Sequence, residues 1–139
     1  MPTLEDAILL AAEAHRGQTE KAGHPYILHP LRVMFRLESE TDRIVGVLHD
    51  VIEDTRYTLQ DLRAMGYPEP LLQALDCLTR RETETYEEFI TRLRINPVAR
   101  RVKLADLEDN MDVRRLPALT EKDAERLKKY LNAWTLLKP

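Results

Sequence analysis

Apolar residues recur along the chain at intervals of three and four, the period of a helix that buries one face. In the first such stretch, Leu4, Ala7, Ile8 and Ala11 fall on one stripe. No stretch alternates apolar and polar residues with the period of a β-strand. The pattern predicts an all-α protein built as a bundle of about eight helices. They are predicted at residues 4–16, 28–38, 41–53, 59–65, 69–79, 86–94, 97–111 and 121–137.

The starts and ends of these helices carry their own signals. A threonine followed three residues later by an acid places a hydroxyl and a carboxylate at the positive end of a helix, where both stabilise it. Gly17 and Gly66 directly follow two predicted helices, where a left-handed cap favours glycine. The threonine signal occurs four times, at Thr3/Asp6, Thr58/Asp61, Thr85/Glu88 and Thr120/Asp123.

Composition narrows the class of protein. The 139 residues predict one domain over 1–139, and 43% hydrophobic with 32% charged residues is typical of a soluble globular chain. A net charge of −3 argues against nucleic-acid binding, and the single Cys77 excludes a disulfide framework. No apolar run is long enough to span a membrane, and the N-terminus lacks the basic start of a signal peptide. We therefore expect a cytoplasmic protein without membrane or nucleic-acid partners.

Residues 45–55 combine apolar side chains with four polar groups that have the chemistry of a metal site. On a helix, His49 lies one turn before Glu53. Asp50 likewise lies one turn before Asp54. The neighbours of these four residues are apolar enough to bury the helix on nearly all sides, and buried like charges are costly unless a positive group neutralises them. A divalent cation would provide that neutralisation.

Two further residues are expected to complete the site. His29 lies in an apolar stretch before a proline, and Asp106 lies beside an apolar stripe of a later helix. Each residue alone would more often have a structural role, but their joint occurrence with His49 and Asp50 favours a metal centre. Two imidazoles and two carboxylates suit Mn²⁺, Fe²⁺ or Zn²⁺ and leave positions for a water and a substrate oxygen.

Three motifs in this order resemble a known family. They read AHRGQ with KAGHPYILHPL at residues 14–31, LHDVIEDT at 48–55 and VKLAD at 102–106. Together they are similar to the hydrolase domain of RelA/SpoT-type alarmone enzymes and to the small alarmone hydrolases. The resemblance implies a compact helical HD-domain fold, one Mn²⁺ and removal of the 3′-diphosphate of (p)ppGpp, giving GDP or GTP and pyrophosphate. Since 139 residues leave no room for a synthetase domain, we expect a hydrolase only.

The resemblance also implies roles for individual residues. His29, His49, Asp50 and Asp106 match the metal ligands. Glu53 and Asp54 match the acidic pair that orients the attacking water and transfers protons, and their two roles are interchangeable at this stage. The positions that match nucleotide contacts are Lys21, Tyr26, Asn110 and Tyr130. His15 belongs to the first motif, and we expect it to support the site from behind.

Several positions depart from the family pattern towards acidic residues. They are Glu20, Glu108, Asp109 and Asp112. A substrate with four or five phosphates needs cations around it, and each lost contact costs about 1.5–3 kcal/mol if it lies in the pocket. Arginines that could compensate are Arg16, Arg32, Arg36, Arg114 and Arg115. The doublets Arg80-Arg81, Arg100-Arg101 and Arg114-Arg115 are interpreted as solvated faces paired with nearby acids.

Three functions follow from this pattern, in order of preference. The first is alarmone hydrolysis at a Mn²⁺ centre. The second is metal-dependent hydrolysis of a less charged nucleotide, which the acidic departures favour. The third is a catalytically silent nucleotide-sensing module, against which the intact Glu53 and Asp54 argue. In each case the partner is a small nucleotide, and the pattern leaves the oligomeric state open.

Overall fold

A computed structural model describes all 139 residues, and the chain is helical throughout. One isolated antiparallel bridge joins Thr19 to Pro25. The all-α prediction is confirmed, and the short 3₁₀ helix Val113–Arg115 connects the last two helices. The α-helices are α1 Leu4–Ala14, α2 Leu28–Phe35, α3 Glu40–Leu48, α4 Val51–Asp54, α5 Leu59–Ala64, α6 Glu69–Cys77, α7 Tyr86–Leu93, α8 Pro97–Asn110 and α9 Glu121–Leu137.

The predicted helix ends are present in the structure. All four threonine–acid pairs form reciprocal caps, with the threonine hydroxyl accepting from the backbone of the acid and the carboxylate accepting from the backbone of the threonine. Gly17 and Gly66 have φ angles of 85° and 98°, the left-handed conformation predicted for them. None of the helices is long and apolar enough to cross a membrane.

Helix α3 lies at the centre of the bundle. It packs against α1, α2, α6 and α8, and its residues Ile44, Val45, Val47 and Leu48 have no exposed surface. Gly46 allows α3 to lie close to α2 and the turn after it, because a Cβ atom at this position would lie 3.6 Å from Cα of Met34 and 2.7 Å from Cδ1 of Leu37. The end of α3 is therefore held deep in the core, where it positions the residues that follow.

The predicted continuous helix over 41–53 is wrong, because the chain turns at His49 and Asp50. The His49 Nδ1–H donates to the carbonyl oxygen of Gly46 at 2.6 Å. In a continuous helix, that carbonyl would accept from the backbone N–H of Asp50. The histidine side chain takes over this acceptor, α3 ends at Leu48, and α4 starts at Val51. The turn points both side chains towards α2 and α8.

Candidate metal centre and catalytic cavity

The four predicted metal ligands meet in one place. Asp106 Oδ1 lies 2.8 Å from His29 Nε2 and 3.3 Å from His49 Nε2. Asp50 Oδ2 lies 3.0 Å from His49 Nε2 and 3.7 Å from His29 Nε2. Helices α2 and α8 and the turn after α3 supply these atoms. His29, His49 and Asp106 form a buried group whose ligand atoms all lie within 4.8 Å of one another.

These separations fit a single divalent cation. Adjacent ligands of an octahedral ion with bonds of about 2.1 Å lie about 3 Å apart, and the four measured separations run from 2.8 to 3.7 Å. Nitrogen and carboxylate donors together suit a first-row transition metal better than Ca²⁺. The donor set and its spacing are therefore those of a mixed nitrogen and oxygen metal site.

The far side of each imidazole ring has a hydrogen-bond partner. His49 Nδ1 donates to the Gly46 carbonyl, and His29 Nδ1 lies 2.7 Å from Asp109 Oδ2. Such partners fix the orientation and the protonation of a metal-binding histidine, and their loss typically costs 10–100-fold in metal affinity. Both Nε2 atoms therefore face the centre, ready to bind a cation.

Asp109 contacts the predicted metal ligand His29 from behind, a position that sequence reasoning missed. We interpreted it as an acidic residue that weakens phosphate binding, but its side chain is completely buried and faces away from the cavity towards His29. Arg32 Nε donates to its other oxygen at 2.9 Å. Its position could have indicated this contact, because Asp109 follows Asp106 by three residues and therefore lies on the same face of the helix.

We expect Asp109→Ala to lower the affinity for Mn²⁺ by about 10–100-fold, because His29 loses the partner that orients its ring. The matched control is Glu108→Ala on the same helix, whose carboxylate contacts Trp134 instead. Calorimetric titration of both variants with Mn²⁺ measures the difference. Equal affinities in the two variants would contradict the role given to Asp109.

Hydrogen bonds and neighbouring charges shift the pKa values of the histidines and aspartates at the centre. Burial lowers the pKa of His29, but hydrogen bonds with Asp106 and Asp109 outweigh it and raise this pKa to about 8. Burial opposes ionisation of Asp106, yet the Lys103 ammonium and both histidines hold its pKa well below the ordinary value. Lys103 Nζ donates to Asp106 Oδ2 at 2.8 Å. Protons on the imidazoles therefore neutralise the carboxylates when no metal does so.

Because protons and a metal ion compete for the imidazoles, we expect stabilisation by the metal to depend on pH. An unfolded histidine has a pKa of about 6.5, so protonation of His29 stabilises the metal-free fold fully below that pH. The stabilisation is lost as the pH rises through about 8. Since a metal binds the neutral imidazole, we expect the increase in Tm caused by Mn²⁺ to grow from about pH 6 to pH 8. Thermal unfolding with chelator and with Mn²⁺ measures it, and an increase independent of pH would contradict the expectation.

A cavity of about 490 Å³ opens over the metal ligands. Of the predicted catalytic pair, Glu53 lines this cavity and Asp54 does not. Burial, Asp54 and Asp50 raise the pKa of Glu53, as expected for a carboxylate close to other negative charges. All four residues predicted to contact the nucleotide line the cavity: Lys21, Tyr26, Asn110 and Tyr130.

Two of these four residues also form hydrogen bonds with predicted metal ligands. The Tyr26 hydroxyl donates to Asp50 Oδ2 at 2.5 Å, and Asn110 Nδ2 donates to Asp106 Oδ1 at 3.1 Å. His15 lies behind this layer, buried, with its ring 5.1 Å from the Tyr26 ring. His15 Nδ1 contacts Gln18, whose amide donates to the backbone of Asp54. The histidine thus connects the first motif to the acidic pair.

Known proteins resemble this chain in sequence and in fold. No protein-family model matches the chain. A GTP pyrophosphokinase of Streptomyces coelicolor is 33% identical over 121 residues, covering 78% of this chain and 14% of that enzyme. The bifunctional (p)ppGpp synthase/hydrolase SpoT of Escherichia coli is 45% identical over 67 residues, covering 45% of this chain and 9% of that enzyme. The chain is thus similar in sequence to enzymes of the RelA/SpoT type, and the likeness extends over most of its length.

A solved structure extends the RelA/SpoT likeness to the whole fold. It is that of a metazoan orthologue of SpoT, described as hydrolysing ppGpp, and it matches with a TM-score of 0.76 at 22% identity. The match covers 99% of this chain and 86% of that one. The chain therefore has the RelA/SpoT-like helical fold over its full length, while it spans only a small part of its longer curated relatives.

The acidic departures from the RelA/SpoT pattern are paired with arginines. Arg32 bridges Glu20 and Asp109, with NH2 3.2 Å from the Glu20 carboxylate. Asp112 accepts from Arg114 at 2.7 Å, and Arg115 NH2 lies 3.4 Å from Asp109. The remaining two candidate arginines also have acidic partners, as Arg16 pairs with Glu13 and Arg36 with Glu108. The departures thus introduce ion pairs rather than isolated negative charges.

The position of Arg115 corrects one sequence interpretation. Its doublet was assigned to a solvated face, but Arg115 lines the cavity. Arg80, from another doublet, lines it as well. The neighbours Arg81 and Arg101 do pair with acids, Asp76 and Asp42. Two arginines that the sequence interpretation assigned to solvent, Arg80 and Arg115, therefore line the cavity.

Proposed function

We propose that this protein is a metal-dependent phosphohydrolase that removes the 3′-diphosphate of (p)ppGpp, yielding GDP or GTP and pyrophosphate. The observation that carries the proposal is the convergence of His29, His49, Asp50 and Asp106 below a cavity lined by Glu53. The names of its relatives, which include a (p)ppGpp synthase/hydrolase, point to the same substrate class. We propose Mn²⁺ as the metal, residues 1–139 as one HD-type hydrolase domain, and the cytoplasm as its location.

The four ligands would hold the cation, which when bound polarises a phosphoryl group and lowers the pKa of water. Glu53 then takes the proton of the attacking water, because it lines the cavity and its raised pKa makes it a better proton acceptor. Asp54 lies beside it outside the cavity wall, and we assign to its negative charge the role of raising the pKa of Glu53. Tyr26 and Asn110 hold the ligand carboxylates in place by the hydrogen bonds described above.

Substrate orientation falls to the walls of the cavity. Lys21 and Tyr130 come from two different elements, the loop after α1 and helix α9. Lys21 Nζ lies 3.1 Å from Asp123, and its side chain remains 58% exposed, so it is free to turn towards an anionic ligand. Tyr130 offers an aromatic face for a base. We assign both residues to nucleotide binding.

A second candidate is hydrolysis of a less charged nucleotide. The observation that favours it is the number of acids in the cavity wall, where Glu20, Asp112 and Asp123 compete with phosphate for the neighbouring cations. A silent nucleotide sensor is the third candidate. A sensor would not need a glutamate next to the metal ligands, so the presence of Glu53 there argues against this candidate.

One assay separates these functions. Purified protein with Mn²⁺ is incubated with ppGpp, pppGpp and a panel of ordinary nucleotides, and the products are resolved by ion-exchange chromatography. Pyrophosphate released from the alarmones alone supports the proposal. Orthophosphate released from other nucleotides supports the second candidate. Absence of any product from a protein with bound metal supports the third and rejects the proposal.

A further inference from the structure

The hydroxyl of Tyr86, the first residue of α7, is buried and has no hydrogen-bond partner. The other tyrosine close to the metal ligands, Tyr26, has its hydroxyl bound to Asp50. A buried hydroxyl without a partner is unfavourable, and native proteins seldom keep one without a reason. Tyr86 lines the cavity, where a bound ligand can supply the missing acceptor.

Cations surround the Tyr86 ring. Lys129 Nζ lies 4.2 Å from the ring centroid, Arg80 Cζ 5.8 Å and Lys103 Nζ 5.9 Å. Arg80 donates only to the backbone carbonyl of Glu84, and Lys129 makes no ion pair. Burial and then the neighbouring cations, with Arg80 first among them, lower the pKa of Lys129. Of these three cations only Lys103 has a carboxylate partner, Asp106, so the charges of Arg80 and Lys129 are not balanced by an ion pair.

The other cations that line the cavity have acidic partners. Lys21 and Arg126 lie 3.1 and 3.3 Å from Asp123, and Arg115 lies 3.4 Å from Asp109. Arg80 and Lys129 have no such partner, and together with Tyr86 they form what we call the cationic side of the cavity. An anionic group of the substrate would be attracted to it.

The cationic side adjoins the metal centre. Lys103 reaches both, since its ammonium contacts Asp106 Oδ2 and lies over the rings of Tyr86 and Phe89. Glu53 is close to the same side, because Lys103 and the backbone of Arg80 both act to lower its pKa against the stronger raising effect of burial. Lys103 Nζ lies 2.8 Å from Asp106 Oδ2 and 5.9 Å from the Tyr86 ring centroid, so the two sites are adjacent, as the two phosphoryl groups of a diphosphate require.

We propose that Tyr86, Arg80 and Lys129 form an anion subsite that binds the outer phosphoryl group of a diphosphate whose inner phosphoryl group lies at the metal ligands. This inference rests on the proposed function, since it names the residues of the same cavity that bind the outer phosphoryl group of its substrate. The Tyr86 hydroxyl donates to a phosphoryl oxygen, and Lys129 and Arg80 balance its charge. Burial raises the pKa of Tyr86, which keeps the phenol protonated as a donor.

Binding of inorganic pyrophosphate tests the subsite independently of catalysis. The full chain is freed of divalent ions, which would chelate the probe, and titrated by calorimetry at about pH 6.5, near the ordinary pKa of histidine. We expect Tyr86→Phe and Lys129→Met each to weaken binding about tenfold or more, as loss of a hydrogen bond to a charged group does. The matched controls are Tyr67→Phe, a buried tyrosine outside the cavity, and Lys128→Met, an exposed neighbour on α9. Circular dichroism checks that all four variants fold.

Equal binding by the variants and their controls would overturn the subsite, as would the absence of pyrophosphate binding by the unchanged protein. Hydrolysis with Mn²⁺ separates this failure from failure of the proposed function. If the protein cleaves ppGpp and Tyr86→Phe leaves KM unchanged, the subsite is rejected and the function stands. If pyrophosphate binding depends on Tyr86 while no nucleotide is cleaved, the function is rejected and the subsite stands.

Discussion

Glu53→Gln is expected to bind Mn²⁺ as the unchanged protein does and to lose about 10²–10⁴-fold in turnover, the contribution of a positioned general base. Glutamine keeps the size and the hydrogen-bonding oxygen of the side chain but cannot accept the proton of the attacking water. Glu53 lines the cavity next to the metal ligands without being one of them, so the metal affinity has no reason to change. Steady-state rates and a Mn²⁺ titration on the same preparation measure both effects.

Two further variants make this result specific. Asp54→Asn should reduce turnover less than Glu53→Gln, because Asp54 is outside the cavity wall. Glu40→Gln, an exposed acid at the start of α3, should behave as the unchanged protein. Turnover of Glu53→Gln within a few-fold of the unchanged protein would remove Glu53 from the mechanism. A larger loss in Asp54→Asn would exchange the two roles.

Asp106→Asn is expected to abolish metal binding and with it all activity. Asp106 is the centre of the site, since one oxygen contacts both histidines and Asn110 while the other accepts from Lys103. Loss of a direct ligand should lower Mn²⁺ affinity more than the 10–100-fold typical of an outer partner. The buried Lys103 also loses its carboxylate, which we expect to cost about 3–5 kcal/mol of stability.

The stability loss is separated from the metal effect by a second buried aspartate. Asp42 is buried and accepts from Arg101 at 2.6 Å, away from the metal ligands. Asp42→Asn should lower the free energy of unfolding and leave Mn²⁺ affinity unchanged. Metal content of the folded protein, measured after gel filtration, tells the two apart. Near-stoichiometric Mn²⁺ in Asp106→Asn would contradict the ligand assignment.

The fold and the meeting of the four predicted metal ligands could be predicted because they depend on patterns that act locally. Apolar spacing and threonine caps define a helix from its own residues, and polar side chains such as His49 in an apolar helix need a neutralising partner. The break in the predicted helix 41–53 could not be found in this way. It depends on a side-chain hydrogen bond from His49 to the Gly46 carbonyl, which competes with the backbone.

The environments of the charged residues were harder to predict from the sequence. The sequence shows that Asp109 is charged but not where its side chain points. Only the packing of α8 against α2 shows that the carboxylate faces His29 rather than the cavity. Arg80 and Arg115 were assigned to solvent for the same reason, because a doublet of arginines has no apolar pattern that marks one member as inward. The unpartnered hydroxyl of Tyr86 is a property of the folded cavity and has no signal in the sequence.

The most direct test of the account is anomalous diffraction from crystals grown with Mn²⁺. The account predicts one strong manganese peak within about 2.3 Å of His29 Nε2, His49 Nε2, Asp50 Oδ2 and Asp106 Oδ1, a bond length usual for such ligands. A peak that contacts only some other acidic group, or no peak in a protein that hydrolyses its substrate, would contradict it.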